Sequence, residues 1–197
     1  MNKPSYHHGN LKTDMIQVGI KLVHESGFDK LSLRKIATAC NVSPTAPYSH
    51  FKNKAELLEA MTEHVIQQFA SILTEAIDEN NPSFEGLHRM GIAYVLFFLD
   101  NPLYFDFLFQ RLKLNIDFKS DTSTYKPFMI YKEFITKILE QVQYPKELQL
   151  NAIISHWALV QGLTSIVVLN TSITPDEWRI KVLELLSGNY FLNYEKL

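Results

Sequence analysis

The residues best suited to chemistry lie in one stretch, Ser43-Pro-Thr-Ala-Pro-Tyr-Ser-His-Phe-Lys-Asn-Lys54. Pro44, Thr45 and Ala46 are small enough to let a backbone come close to base edges, and the Thr45 methyl and Ala46 side chain suit a thymine methyl. The Thr45 hydroxyl can bond a base or a phosphate. Tyr48, His50 and Lys54 can grip phosphates on either side, and Ser32, at the start of the preceding helix, can do the same. This is the chemistry of double-stranded DNA recognition. The same residues also fit an αα-hairpin whose charges are simply solvated.

The elements that must hold these side chains can be read from capping and periodicity. Leu11 to Val23 fits an amphipathic helix better than a strand, and Gly27 follows it as a stop signal. Ser32 is a good N-cap for a short second helix through Cys40, with Leu33, Ile36, Ala37 and Cys40 on one face. Asn41 can take the left-handed conformation that ends such a helix. Ser43 then reads as an N-cap, with Pro44 at the first helical position, where a missing N–H costs nothing. Pro47 forfeits a hydrogen bond to the Ser43 carbonyl and disfavours helix at Ala46, so the helix from Pro44 to about His50 must be short, with a tightened first turn. Two short helices and a tight turn make a helix-turn-helix.

Beyond it, Lys54 to Asp78 reads as one long helix. Further helices are expected over Phe84–Leu99, Leu103–Leu112, Lys126–Gln143, Lys146–Leu169 and Pro175–Tyr194, with a polar loop from Lys119 to Thr124. The fold class is all-α.

Charge divides the 197 residues unevenly. Residues 1–54 hold eight Lys/Arg against three acidic residues, a net +5, while the remainder carries −7. A basic front on an acidic body points to local contact with a polyanion. The single cysteine, Cys40, excludes an internal disulfide and lies on the apolar face of the second helix, the position of a buried structural thiol. The N-terminus has no apolar leader segment, and the longest apolar run, Ile92 to Leu99, is far shorter than the ~20 residues of a membrane span. A soluble, cytoplasmic protein is expected. The seven histidines show no metal-ligating helical spacing, and neither a phosphate-binding glycine loop nor a nucleophile elbow occurs. No enzyme activity, metal or cofactor is expected.

The stretch "LSLRKIATACNVSPTAPYSHFKNKAELLEAM" resembles the DNA-binding domain of TetR-family transcriptional repressors, and "YHHGNLK" resembles the start of one large branch of them. The resemblance runs from about Tyr6 to Met61 without a gap. It implies a three-helix DNA-binding domain over residues 9–69, with its helix-turn-helix at 32–51, and a larger helical ligand-binding and dimerisation domain over 70–197. By position it carries DNA contact to Ser32, Ser43, Thr45, Ala46, Tyr48, Ser49, His50 and Lys54, beside Pro44. Two positions depart from the usual pattern: Asn41 replaces a turn glycine, and Pro47, as in that branch, replaces a leucine.

The second half resembles that branch more weakly, through "HWALVQGLTSIVVL", where Gln161 stands in place of a His in a Trp-His-Gly motif. Apolar residues wrap nearly all round this segment, so it must be buried on more than one side. A second copy of the chain is the simplest cover, with Trp157, Val160, Thr164 and Val168, together with Val182 and Leu186 of the last helix, as the expected dimer interface. Burial within one chain is the competing explanation. Aromatics cluster between Tyr94 and Phe128, the pattern of a core, part of which can line an effector pocket. The candidate lining is Tyr94, Phe98, Phe105, Phe109, Gln110, Phe128 and Gln161. The expected function is a homodimeric repressor released from a palindromic operator by a small molecule of unknown identity. The alternative is a helical small-molecule-binding module whose N-terminal domain contacts a protein.

Overall fold

A computed structural model of the protein describes residues 11–112, 114, 116–119 and 125–187, and among these every regular element is helical. The described chain resolves into two units. One comprises residues up to Val65 together with Leu103–Leu114; the other comprises Ile66–Pro102 and the residues from Asn115 onward.

In the first unit, α1 (Leu11–Ser26) buries Met15, Ile16, Gly19, Ile20 and Val23 along one stripe. It stops at Gly27, whose φ of 77° suits only a residue without Cβ, and the Gly27 N–H donates to the Val23 carbonyl at 2.8 Å. After a 3₁₀ turn over Phe28–Lys30, α2 (Leu33–Ala39) starts from Ser32, whose Oγ accepts the Lys35 N–H at 3.3 Å. This is the expected cap. Asn41, at φ 55°, takes the left-handed position expected of it. Asn53 opens α3 (Lys54–Glu75): its Oδ1 accepts the Glu56 N–H at 3.0 Å, and the Glu56 carboxylate accepts the Lys52 N–H at 2.7 Å. Leu57, Met61 and Val65 on the first half of α3 are fully buried.

The first unit also takes in a distant stretch. A short helix α5 (Pro102–Phe105) passes directly into a π-helix over Asp106–Arg111, and this segment packs on α1. Phe107 and Leu108 are buried, and Phe107 sets its ring edge-to-face on Phe28 at 6.0 Å. The Asp106 carboxylate accepts from His24 Nδ1 at 2.9 Å and from Arg111 Nε at 3.2 Å, while Arg111 reaches the His24 carbonyl at 3.1 Å. These contacts move Leu103–Leu114 from the second domain, where the sequence placed it, to the first unit. The first stretch of that unit ends at Val65, within α3.

In the second unit, α4 (Phe84–Asp100) packs on α6 (Lys126–Gln141), α7 (Lys146–Leu169) and α8 (Pro175–Ser187). Ser83 caps α4 by accepting the Gly86 N–H at 3.1 Å. Thr174 and Glu177 form a reciprocal capping box at α8, each side chain accepting the other's N–H. A Cβ on Gly86 would sit 2.8 Å from the Phe134 ring, so glycine here lets α6 lie close to α4. The core is an aromatic mesh. Phe69 from the second half of α3 meets Tyr94 and Phe98, each at 4.7 Å, and Trp157 meets Tyr94, Phe128 and Tyr131 at 5.5, 5.2 and 5.1 Å. The expected continuation of the last helix to Tyr194 lies outside the described residues, as does most of the Lys119–Thr124 loop.

His156, on α7, stacks on Tyr131 at 5.5 Å, and its buried Nδ1 has no hydrogen-bond partner. Burial, then the proximity of His88, pushes its pKa from 6.5 down to about 4. The unfolded chain therefore binds a proton at this site before the folded one does. Stability contributed here is full above pH 6.5 and is lost as the pH falls towards 4, by up to about 3 kcal/mol. Thermal melts between pH 7 and 5 should show the melting temperature falling with acidification, and His156→Gln should flatten that slope. Equal slopes for the two proteins would mean that His156 is not the group responsible.

Candidate nucleic-acid interface

The segment between α2 and α3 does not form the expected short α-helix from Pro44 to His50. A turn at Pro44–Thr45 leads into a 3₁₀ helix over Ala46–Ser49. The cause is the missing N–H of Pro47. The Ser43 carbonyl, which in an α-helix would take that donor, instead accepts from Ala46 N–H at 3.0 Å. The same tight spacing continues from Tyr48 N–H to the Thr45 carbonyl at 3.1 Å. Finally, the Pro47 carbonyl accepts from both His50 and Phe51. Ser43 is therefore no side-chain cap: its Oγ pairs with Thr45 Oγ1 at 3.1 Å.

The tightened turn sorts its side chains sharply. Pro47 and Phe51 are buried and anchor it, and the turn packs on α2. Ser43, Pro44, Thr45, Tyr48 and Ser49 are exposed, Tyr48 at 54% despite its aromatic ring, while Ala46, His50 and Ser32 are half-buried. Ser49 Oγ donates to the Ala46 carbonyl at 2.7 Å. Lys54 behaves differently from the expected phosphate grip, since its half-buried Nζ donates to the Phe28 carbonyl and so ties the start of α3 to the turn after α1. Exposed cations that spacing did not single out are Arg34 and Lys35 on α2 and Lys52 before α3. Their only signal in the sequence was the local excess of positive charge.

The expected dimer residues fare otherwise. Trp157, Val160, Thr164, Val182 and Leu186 are buried inside their own chain, and only Val168 is partly open. They are core because α7 and α8 turn these faces towards α4. The outward faces carry Ile154, Ile166 and Leu169 on α7 and Ile180 and Leu183 on α8, at 38–63% exposure.

The expected effector set is likewise divided. Phe105, Phe109 and Gln110 belong to the first unit, and Phe98 and Phe128 are core of the second. Tyr94 OH donates to Gln161 Oε1 within the second unit. Burial, then Tyr125, drives the Tyr94 phenol well above its ordinary pKa, so it stays protonated as that donor. Among the described residues no group of three or more His, Cys, Asp or Glu is placed to hold a metal ion.

A proline-stiffened turn with a buried base and an exposed polar edge, packed on α2, has the layout of a helix-turn-helix. Residues 15–61 match the family of bacterial regulatory proteins, tetR family, and that stretch is a domain of this family. Over 82 residues it is 35% identical to an uncharacterized HTH-type transcriptional regulator of Haemophilus influenzae, covering 42% of this chain and 44% of that protein. Over 57 residues it is 39% identical to the tetracycline repressor protein class G of Vibrio anguillarum, covering 29% of this chain and 27% of that protein. The matched stretch thus spans less than half the length of these relatives. The crystal structure of the transcriptional regulator FadR from Bacillus subtilis in complex with stearoyl-CoA aligns over 89% of this chain and 97% of that one. Its TM-score is 0.65 at 17% identity, a likeness of fold.

Lys54 and Tyr48, both candidates for DNA contact, should separate in their effect on stability. Lys54→Ala, which removes the bond to the Phe28 carbonyl, should lower stability by about 1 kcal/mol in urea melts. Tyr48→Ala, at a side chain that is 54% exposed, should change the melt much less. A Lys54→Ala protein as stable as the parent would mean that this tie carries no weight in the fold.

Proposed function

We propose that the protein is a sequence-specific DNA-binding regulator of transcription, acting as a homodimer and released from its operator by a small molecule held in the second unit. The observation that carries this reading is the turn over residues 43–49, which buries Pro47 and offers Thr45, Tyr48 and Ser49 to solvent within the stretch matching the tetR family. Thr45, Ala46 and the Pro44 backbone meet base edges. Tyr48, Ser49, His50 and the cations Arg34, Lys35 and Lys52 meet phosphates. Two copies present their turns to successive major grooves, so the operator is roughly palindromic, with half-sites about 34–36 Å or a multiple apart.

The dimer reading rests on the outward apolar faces of α7 and α8. Helix α7 is long and apolar enough to cross a bilayer, and only 28% of its most apolar window is buried. It carries His156 and Gln161, however, and the Tyr131 hydroxyl bonds its Ile153 carbonyl at 2.8 Å, which ties it to a protein core. A second copy packed on Ile154, Ile166, Ile180 and Leu183 covers the remaining apolar surface in an isologous contact. FadR of Bacillus subtilis, which shares the fold, was crystallised with stearoyl-CoA. That neighbour supports an effector role for the larger unit without specifying this chain's ligand.

Selection of duplexes from a random DNA pool should return a palindrome, with affinity falling steeply as salt rises. Tyr48→Ala should weaken all selected sequences alike, and Thr45→Val should change the preferred bases. Failure of the folded protein to enrich any sequence at low salt would leave the protein-binding alternative standing. In sedimentation, Ile166→Glu should give folded monomers, since it puts a charge into the proposed contact. A dimer that persists in this variant would remove that face from the interface.

A further inference from the structure

Ser43 Oγ and Thr45 Oγ1 lie 3.1 Å apart at the exposed edge of the turn, and Thr45, at the start of the 3₁₀ helix, makes no capping bond. The backbone holds both residues in place. The Ser43 carbonyl accepts from Ala46 N–H at 3.0 Å, and the Thr45 carbonyl accepts from Tyr48 N–H at 3.1 Å. Pro44, between them, has its φ locked by its ring. Pro47 and Phe51 bury the base of the same turn. Two short side chains on so fixed a frame can pair with little further loss of freedom.

Threonine carries its hydroxyl and its methyl on one carbon, so a single torsion places both. An exposed threonine turns between staggered wells within nanoseconds and offers either group at a given point. A bond from Oγ1 to Ser43 selects one well and thereby fixes the methyl as well. The pair holds two protons: one lies between the two oxygens, and the other remains to be donated outward. Water competes for both hydroxyls while the turn is exposed, and its exclusion on docking strengthens the pair.

We infer that Ser43 is a positioning residue for base reading: it acts through Thr45, by holding the one rotamer in which Thr45 discriminates among base pairs. The inference rests on the DNA reading proposed above and adds a residue that sets specificity without touching a base. A methyl held still can make apolar contact with the C5-methyl of thymine, a group that adenine, guanine and cytosine lack. Valine at position 45 keeps a methyl but cannot bond Ser43, so Ser43→Ala and Thr45→Val break the same contact from opposite ends.

The test begins with the free full chain. The three-bond coupling between the Thr45 Hα and Hβ should be that of a single staggered rotamer, and in Ser43→Ala it should move to an averaged value. Both side chains are exposed, so this variant keeps the fold. Binding is then measured for the duplex returned by selection and for its variants at each base pair. Ser43→Ala should relax the preference roughly 3- to 10-fold at the base pair whose identity Thr45→Val alters, and leave the other pairs unchanged. Ser43→Thr, which keeps the hydroxyl, should retain the preference. The double variant should discriminate at that pair as well as Thr45→Val alone, since the contact is already gone. A coupling already averaged in the parent protein, or unchanged in Ser43→Ala, overturns the inference. So does a Ser43→Ala protein that weakens on all sequences alike, the mark of a direct phosphate contact, or that loses preference at a different base pair. If the coupling behaves as stated and no duplex is enriched, the DNA reading falls and takes the base-reading role of Ser43 with it, although the rotamer is locked.

Discussion

Proline has no N–H, and at position 47 that single missing donor decides how the chain passes from α2 to α3. The Ser43 carbonyl settles for the nearer Ala46 N–H, the backbone tightens into 3₁₀ spacing, and the Pro47 ring goes into the core beside Phe51. Everything offered to a partner follows from that geometry. A 3₁₀ helix eclipses side chains three apart, so Tyr48 falls in line with Thr45 and Ser49 with Ala46. Two prolines in one short stretch would ruin an ordinary helix; here they stiffen a turn and cut the number of conformations it must give up when it docks. Rigidity of this kind favours binding because less entropy remains to be lost at the interface.

Much of this was legible in the sequence. Ser32, Gly27 and Asn41 each have a local chemistry that dictates a local conformation, and each takes it in the structure. The helices α4, α6 and α7 begin at the residues where the sequence places them. Local rules failed where a donor was counted in isolation. Ser43 has the right side chain for a cap, but Pro47 had already removed the α-helix that it would have served. Lys54 looked like a free cation because the carbonyl that takes its proton, on Phe28, lies twenty-six residues away.

The larger errors share one origin, which is that periodicity reports how much of a helix is apolar and not what covers each side. Trp157, Val160 and Val182 are the bulkier or more regularly spaced residues of α7 and α8, and the chain's own core claims them first. What remains outside is a second stripe of isoleucines and leucines that the same hydrophobic count could not distinguish. The aromatic cluster misled in the same way. Tyr94 and Phe105 lie only eleven residues apart, yet α4 ends between them and they serve different units.

The return of Leu103–Leu114 to the first unit has a bearing on how the protein is made. The chain enters that unit, leaves it after Val65, comes back for twelve residues and leaves again. As the polypeptide emerges from a ribosome, α1, α2 and the beginning of α3 are therefore available long before Phe107 can close over Phe28 or Asp106 can meet His24. The reading head is left waiting for a piece synthesised with the other unit, a long-range closure that costs chain entropy and slows the last step of folding. A fragment cut near Glu75 would carry every candidate DNA-contacting residue and still lack the segment that finishes its core.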